Sequence, residues 1–380
     1  MKKEENFLKN WFQSFKLIDS FFIQLTLALI TLGLIFAFLS STYESNRMTN
    51  NFWSLGLKQI GAFITGSILF FFLQKVNYKF WYKSTWLFAI IAFILMLITV
   101  FSPLGKASGG SQRWLNLGLI QFQPAEIAKF AVVLLITRFL TKYNWNEIKS
   151  WYYFFFIFIL IGIVLKQPDL GSASILILLL VEMLFLFGWP IWLLSLAVFI
   201  IGIVGYIKIS LTPYQMERIS FWIHPELDPQ GKGYNLIQAR YALAFGGVFG
   251  AGIGNSIQKQ GHLPIPHSDF IFAVISEEIG FIGVAAILIL YITWILRGIY
   301  LANKVDNKYG RILGTAIILI IATQASINIC VAVGLMPVTG VTLPFFSCGG
   351  TSLITTLCMC GILYNILLNT KEKEEQGKVV

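Results

Sequence analysis

Residues 261–283, GHLPIPHSDFIFAVISEEIGFIG, decide how the chain is read. Pro264 and Pro266 turn the backbone sharply, and an apolar helix follows. Ser268 is placed as its N-cap, with Asp269 in the first turn. Glu277 and Glu278 then fall about two turns inside the helix. Carboxylates are expensive in a lipid-embedded segment and call for partners or a function. The same stretch holds His262 and His267, two of the three histidines in the chain.

The surroundings are strongly apolar. Of 380 residues, 57% are hydrophobic and 12% charged, and the mean hydropathy is +0.74. A soluble domain carries about 25% charged residues. Apolar runs near the roughly 20 residues needed to cross a bilayer recur along the chain. They are continuous, whereas a β-barrel gives alternating segments of about 10 residues. The fold class expected is therefore an all-α polytopic membrane protein with about ten transmembrane helices in a single domain, 1–380. The spans fall near 21–41, 57–74, 84–101, 124–140, 151–166, 170–188, 190–209, 268–296, 312–335 and 353–369.

The net charge of +10 does not indicate nucleic acid. The Lys and Arg concentrate in the tails 1–20 and 370–380 and in the turns 75–83, 138–149 and 297–311, all on one side of the alternation. The positive-inside rule makes that side cytoplasmic. The loops 42–56, 102–123, 166–169, 210–266 and 336–350 then lie outside. The largest, 210–266, separates spans seven and eight, and residues 235–245 read as a short amphipathic helix at the interface. Polar and aromatic residues precede the first run and no small-residue cleavage site follows, so span one is expected to be retained. Cys330, Cys348, Cys358 and Cys360 lack metal-site spacing and read as packing residues.

Five segments of the outer side could carry chemistry. Asp269 at a helix N-terminus should be ionised, and a carboxylate near a hydroxyl can act as a general base; it could equally only reinforce the cap. In 109–114, GGSQRW, Arg113 can hold phosphate oxygens and Trp114 can offer a face to a sugar, or the two can anchor the interface. In 123–129, QPAEIAK, Glu126 and Lys129 are placed to pair within the membrane, with a structural or a functional role. In 166–171, KQPDLG, Asp169 caps the next span. In 344–352, PFFSCGGTS, Ser347, Gly349 and Gly350 precede a helix, where backbone N–H groups can cradle an anion or the glycines can serve close packing. Glu277 and Glu278 point about 100° apart, so one of them could meet Lys129 in the bundle. His262 and His267 lack partners at metal spacing, and Arg240 and Tyr241 could face substrate or a partner.

Taken in order, these segments resemble the SEDS family (shape, elongation, division and sporulation) of bacterial membrane proteins. The motifs are GSQRWLNLG, FQPAEIAK, QPDLGSA, DPQGKGYNLIQARYALAFGG, GAGIGNSIQK, HSDFIFAVISEEIGFIG and LPFFSCGGTS. PVTGVTLPFF and IQFQPAEI are more like the elongation member RodA, and GNSIQK leans towards the division member FtsW. The resemblance implies a peptidoglycan glycosyltransferase of the bacterial inner membrane that polymerises lipid II outside the cytoplasm for elongation and cell shape. Its implied partners are a class B penicillin-binding protein and other proteins of the elongation complex.

The family's essential aspartate falls on Asp269, its sensitive Arg-Trp pair on Arg113 and Trp114, its charge pair on Glu126 and Lys129, and its QPDLG aspartate on Asp169. No cofactor is assigned with certainty; a divalent cation, Mg or Mn, that would join Arg113 in stabilising the departing pyrophosphate is the candidate, with no ligands assigned. The chain departs from the family at Ile265, where a Glu is usual, at Cys348 in place of an aromatic, and at Ala125 in place of Ser. The rival expectations are a lipid II flippase, which would spread polar groups across the membrane depth, and a scaffold that only recruits the transpeptidase.

Overall fold

The computed structural model describes residues 19–108, 111–116, 121–142, 147 and 151–377. Ten long helices fall at the ten predicted spans: α1 Ser20–Thr49, α2 Ser54–Leu73, α3 Lys79–Phe101, α4 Pro124–Lys142, α5 Trp151–Lys166, α6 Leu170–Leu186, α7 Ile191–Leu211, α10 Ile271–Asn303, α11 Lys308–Ala332 and α12 Gly350–Gly377. Two shorter helices, α8 Pro213–Ile223 and α9 Tyr234–Gly246, lie between α7 and α10. Among the described residues, seven helices are long and apolar enough to cross a membrane. Of the other three, α4 carries Glu126, Lys129, Arg138 and Lys142, and α5 and α6 have 16 and 17 residues.

Side chains fix where the helices begin. Asp19 accepts from Phe22 N at 2.9 Å, Asp169 from Ser172 N at 3.0 Å, and Asn307 from Gly310 N at 3.1 Å, each satisfying an N–H that the helix cannot. The layering follows burial. α4 and α11 are enclosed on nearly every face, whereas α7 buries only Leu194 and turns its Ile, Val and Phe side chains outward.

The segment 102–123 reads from the sequence only as a loop of the outer side. Instead it forms a small antiparallel sheet, β1 Gly105–Ser108, β2 Ser111–Asn116 and β3 Gln121–Phe122, in the order β1-β2-β3. Lys106 pairs with Trp114 and Leu115 with Phe122. Ladder bonds satisfy backbone groups that a structureless loop would leave to water.

The second unanticipated feature is a break in α10. Gly280 sits at φ 64°, ψ −172°, a region open essentially only to glycine. The open backbone on either side is satisfied by 247–252. Ala251 N donates to Glu277 O at 2.8 Å and Gly252 N to Glu278 O at 2.9 Å, while Phe281 N donates to Gly247 O at 2.9 Å and Ile282 N to Val248 O at 3.2 Å. α9 packs on the first half of α10, so closely that a Cβ on Gly246 would lie 2.1 Å from Ser276 O. The segment 234–262 thus dips beside α10 and returns, with its tip roughly 15 Å along α10 from Asp269. Irregular backbone at such depth survives only where protein satisfies it.

Candidate active site

Three distant segments are sewn together around residues 266–270. Ser347 Oγ accepts from Leu343 N and donates to Ser268 O, both at 2.7 Å, and Cys348 N donates to His267 O at 2.7 Å. Asn328, on α11, donates through Nδ2 to Asp269 O at 3.0 Å and to Val341 O at 2.7 Å. The helix start differs from expectation: α10 begins at Ile271, and Phe270 precedes it with no side-chain cap. Ser268 is not an N-cap; its Oγ donates to Asp269 Oδ1 at 3.0 Å. Asp269 therefore sits in a turn ahead of the helix.

Opposite this turn stands Arg113, carried by β2. Its Nη2 donates to Pro168 O at 2.8 Å, and Nη1 lies 3.8 Å from Asp169 Oδ1. Asp169 is buried and engaged: it caps α6 through Ser172 N, accepts from Ser172 Oγ at 2.9 Å and from Gln123 Nε2 at 3.2 Å. Gly340, at φ 70°, separates the two charged groups. A Cβ there would lie 3.3 Å from Asp269 Oδ2 and 3.4 Å from Arg113 Nη1. Carboxylate and guanidinium face each other across the one residue type that leaves room between them. The ladder shifts at this point: Lys106 pairs with Trp114 and Ala107 with Gln112, which leaves Arg113 as the extra residue of a β-bulge.

Burial pushes the Asp269 carboxyl above the usual carboxylate range. The Ser268 hydrogen bond and Arg113 pull it down, Asp169 pushes it up, and Arg218 pulls it down again. Asp269 lies ahead of the helix rather than in its first turn, so the expected helix-terminal dipole is not what sets its charge. Burial also pulls His267 down to about 4, so its ring is neutral at physiological pH.

Deeper in the bundle, Lys129 pairs with Glu126 as anticipated, at 2.7 Å, and also donates to Gln324 Oε1 at 2.7 Å. The pairing of Glu277 or Glu278 with Lys129 is not what the structure has. Lys259 Nζ lies 2.6 Å from Glu278 Oε1, and Glu277 accepts from Ser256 Oγ, from Ile257 N at 2.9 Å and from Gln258 N at 3.2 Å. Lys129 is already held, and Lys259 reaches Glu278 because 250–262 folds back beside α10. Gly349 and Gly350 open α12 and meet Thr342 and Ala62.

The FtsW/RodA/SpoVE family model, described as "Cell cycle protein", matches residues 19–372. The chain belongs to this family, the SEDS proteins. Stage V sporulation protein E of Bacillus subtilis (strain 168) is 36% identical over 356 residues, covering 92% of this SEDS chain and 96% of that protein. The "Probable peptidoglycan glycosyltransferase FtsW" of Coxiella burnetii (strain RSA 493 / Nine Mile phase I) is 32% identical over 360 residues, covering 93% and 97%. A chain of the solved structure "Structural coordination of polymerization and crosslinking by a peptidoglycan synthase complex" superposes with a TM-score of 0.75 at 27% identity, over 92% of this chain and 97% of that one.

Several residues escaped sequence reasoning: Gln123, Arg218, Gln324, Asn328 and Gly340 around the SEDS corner, and Lys259 deeper in the bundle. Gln324 and Asn328 were legible in principle, since two amides four residues apart inside an apolar span mark one helix face. The fit to a cation is poor. Asp169's oxygens are taken by neighbours, and among the described residues no group of three or more His, Cys, Asp or Glu could hold a metal. Asp269 alone does not make a cation site.

Proposed function

We propose that this SEDS chain is a peptidoglycan glycosyltransferase that polymerises lipid II at the outer face of the bacterial cytoplasmic membrane, with both termini in the cytoplasm. The observation that carries the reading is the Asp269 carboxylate facing Arg113 across Gly340, in a chain whose relatives include a protein named as a probable peptidoglycan glycosyltransferase.

In this reading Asp269 takes the proton from the acceptor's 4-hydroxyl. The freed oxygen attacks the donor's anomeric carbon, the bond to the pyrophosphate breaks, and the electron pair leaves with undecaprenyl pyrophosphate. Single displacement inverts the anomeric centre. A carboxyl raised by burial is a stronger base than an ordinary one, which suits it to an alcohol. Arg113 spends an Nη2 N–H on Pro168 O and keeps further N–H donors on its guanidinium; preorganised there, it stabilises the charge growing on the leaving pyrophosphate.

A groove of about 540 Å³ between α5, α6 and α7 suits the polyprenyl tail. Ile161, Ala173, Ile177, Ile200 and Val204 line it, and Lys208 and Gln215 stand among its few polar groups. The buried polar groups of the bundle favour an enzyme over a flippase. Glu126, Lys129 and Gln324 bond to one another rather than lining a path.

We assign the activity to wall elongation and cell shape, on PVTGVTLPFF and IQFQPAEI, with a class B penicillin-binding protein as the crosslinking partner. Purified chain and partner incubated with labelled lipid II should yield glycan polymer. The Asp269→Ala variant should insert, bind its partner and yield none; full polymer from that variant ends the base assignment. Complementation of elongation-, division- and sporulation-defective strains separates the three cellular roles.

A further inference from the structure

Asn328 and Gln324 lie four residues apart on α11, so their amides share one face, one turn apart. Both are almost fully buried. Gln324 Nε2 donates to Thr342 O at 3.1 Å and to Thr342 Oγ1 at 3.0 Å, while its Oε1 accepts from Lys129. Asn328 Nδ2 gives one proton to Asp269 O and the other to Val341 O. Both acceptors are carbonyls, so only the NH₂ side of the amide can face them. Asn328 Oδ1 points elsewhere and has no partner among the described residues. A buried amide in an apolar helix is costly unless its bonds are needed. These bonds join the backbone of Asp269 to Val341, the neighbour of Gly340, which spaces Asp269 from Arg113.

We propose that Asn328 is a positioning residue for Asp269. Its NH₂ group clamps the backbone of the base against the 339–343 turn, so that the carboxylate is presented at a fixed distance from Arg113 and from the acceptor hydroxyl. This inference rests on the glycosyltransferase reading above.

The test uses the full chain with its partner, labelled lipid II, and Asn328→Ala, Asn328→Asp and Asn328→Ser. Wild-type protein that makes no polymer ends the glycosyltransferase reading and this inference with it; wild-type polymer isolates the question of Asn328. Asn328→Ala should lose about 100-fold in kcat, as displaced catalytic groups do, with KM for lipid II within about twofold of wild type. Asn328→Ser keeps one donor and should recover part of that loss.

Asn328→Asp keeps the shape, loses both donors and adds a charge. The groups already facing Asp269 are Ser268 on its own turn, Arg113 on β2, Asp169 at α6 and Arg218 on α8. A further carboxylate on α11 should therefore move the acid limb of the pH–rate profile upward. Variants with wild-type kcat overturn the proposal. So does a fall in kcat that tracks loss of folded protein in a melting assay, with the acid limb unmoved and nothing recovered by Ser.

Discussion

Lys259→Met should destabilise the chain far more than a loop substitution ordinarily does. The ammonium lies 2.6 Å from Glu278 Oε1, and the two side chains are only 6% and 1% exposed. Glu278 Oε2 has no other partner among the described residues. Removing the lysine thus strands a carboxyl that water cannot reach, and breaking a buried pair from one side costs about 3–5 kcal/mol. At roughly 2–4 °C per kcal/mol, the melting point should fall on the order of 10 °C. The double variant Lys259→Met/Glu278→Leu removes both charges and fills the space. Such exchanges are often neutral or stabilising, so it should melt close to wild type. The assay is thermal unfolding of the purified chain in detergent, read as a double-mutant cycle. Single variants that melt with wild type, or a double variant as unstable as the sum of the singles, would refute the claim that this pair latches 250–262 to α10.

Burial raises the Asp269 pKa, so the base form is lost as pH falls through a value above the ordinary ~3.9. The acid limb of kcat/KM should lie above that value and rise further in Arg113→Ala, which removes a downward pull; a limb at or below ~3.9 contradicts the assignment. The same shift has a stability sign. A carboxyl with a raised folded pKa favours the protonated fold, so its ionisation weakens the fold as pH rises through that pKa. Asp269→Asn should melt no lower than wild type at pH 7 while abolishing polymerisation, and a large drop in melting point would count against a functional origin for this burial. Gly280→Ala places a Cβ 2.3 Å from Gly250 N at φ 64°, which should cost more than the ~1–3 kcal/mol typical of backbone strain and show as poor yield of folded protein. Gly340→Ala inserts a methyl between Asp269 and Arg113; kcat should fall while the melting point moves little, and unchanged turnover would mean that this spacing is not used.

The helices were legible because each leaves an apolar run with polar ends, and the capping Asp169 marks where one of them begins. The candidate corner was partly legible. Arg113, Asp169 and Asp269 are costly residues in apolar surroundings, and costly residues announce themselves. Their backbone setting did not. Ser268 looks like a cap, but its hydroxyl turns to Asp269, a choice made by Ser347 and Cys348 from the far end of the chain. The short strands around Arg113 were missed because four and six residues carry too little alternation to read, although the SGGS at 108–111 is a hairpin signal. The break at Gly280 was invisible for a related reason. A glycine in an apolar helix is usually tolerated, and only the return of 247–252 to its carbonyls makes this one a hinge point. Lys259 and Glu278, 19 residues apart, pair only through that fold-back.

One consequence of α7 reaches beyond the site. With Leu194 alone buried, this helix answers to hydrocarbon chains rather than to neighbouring side chains. Exchanges among Ile, Val, Leu and Phe on its outward face should drift freely, whereas Ile200 and Val204 stay tied to the shape of the groove they line. A change of bilayer thickness should be met in part by a change in its tilt, and the groove beside it would widen or narrow with that tilt.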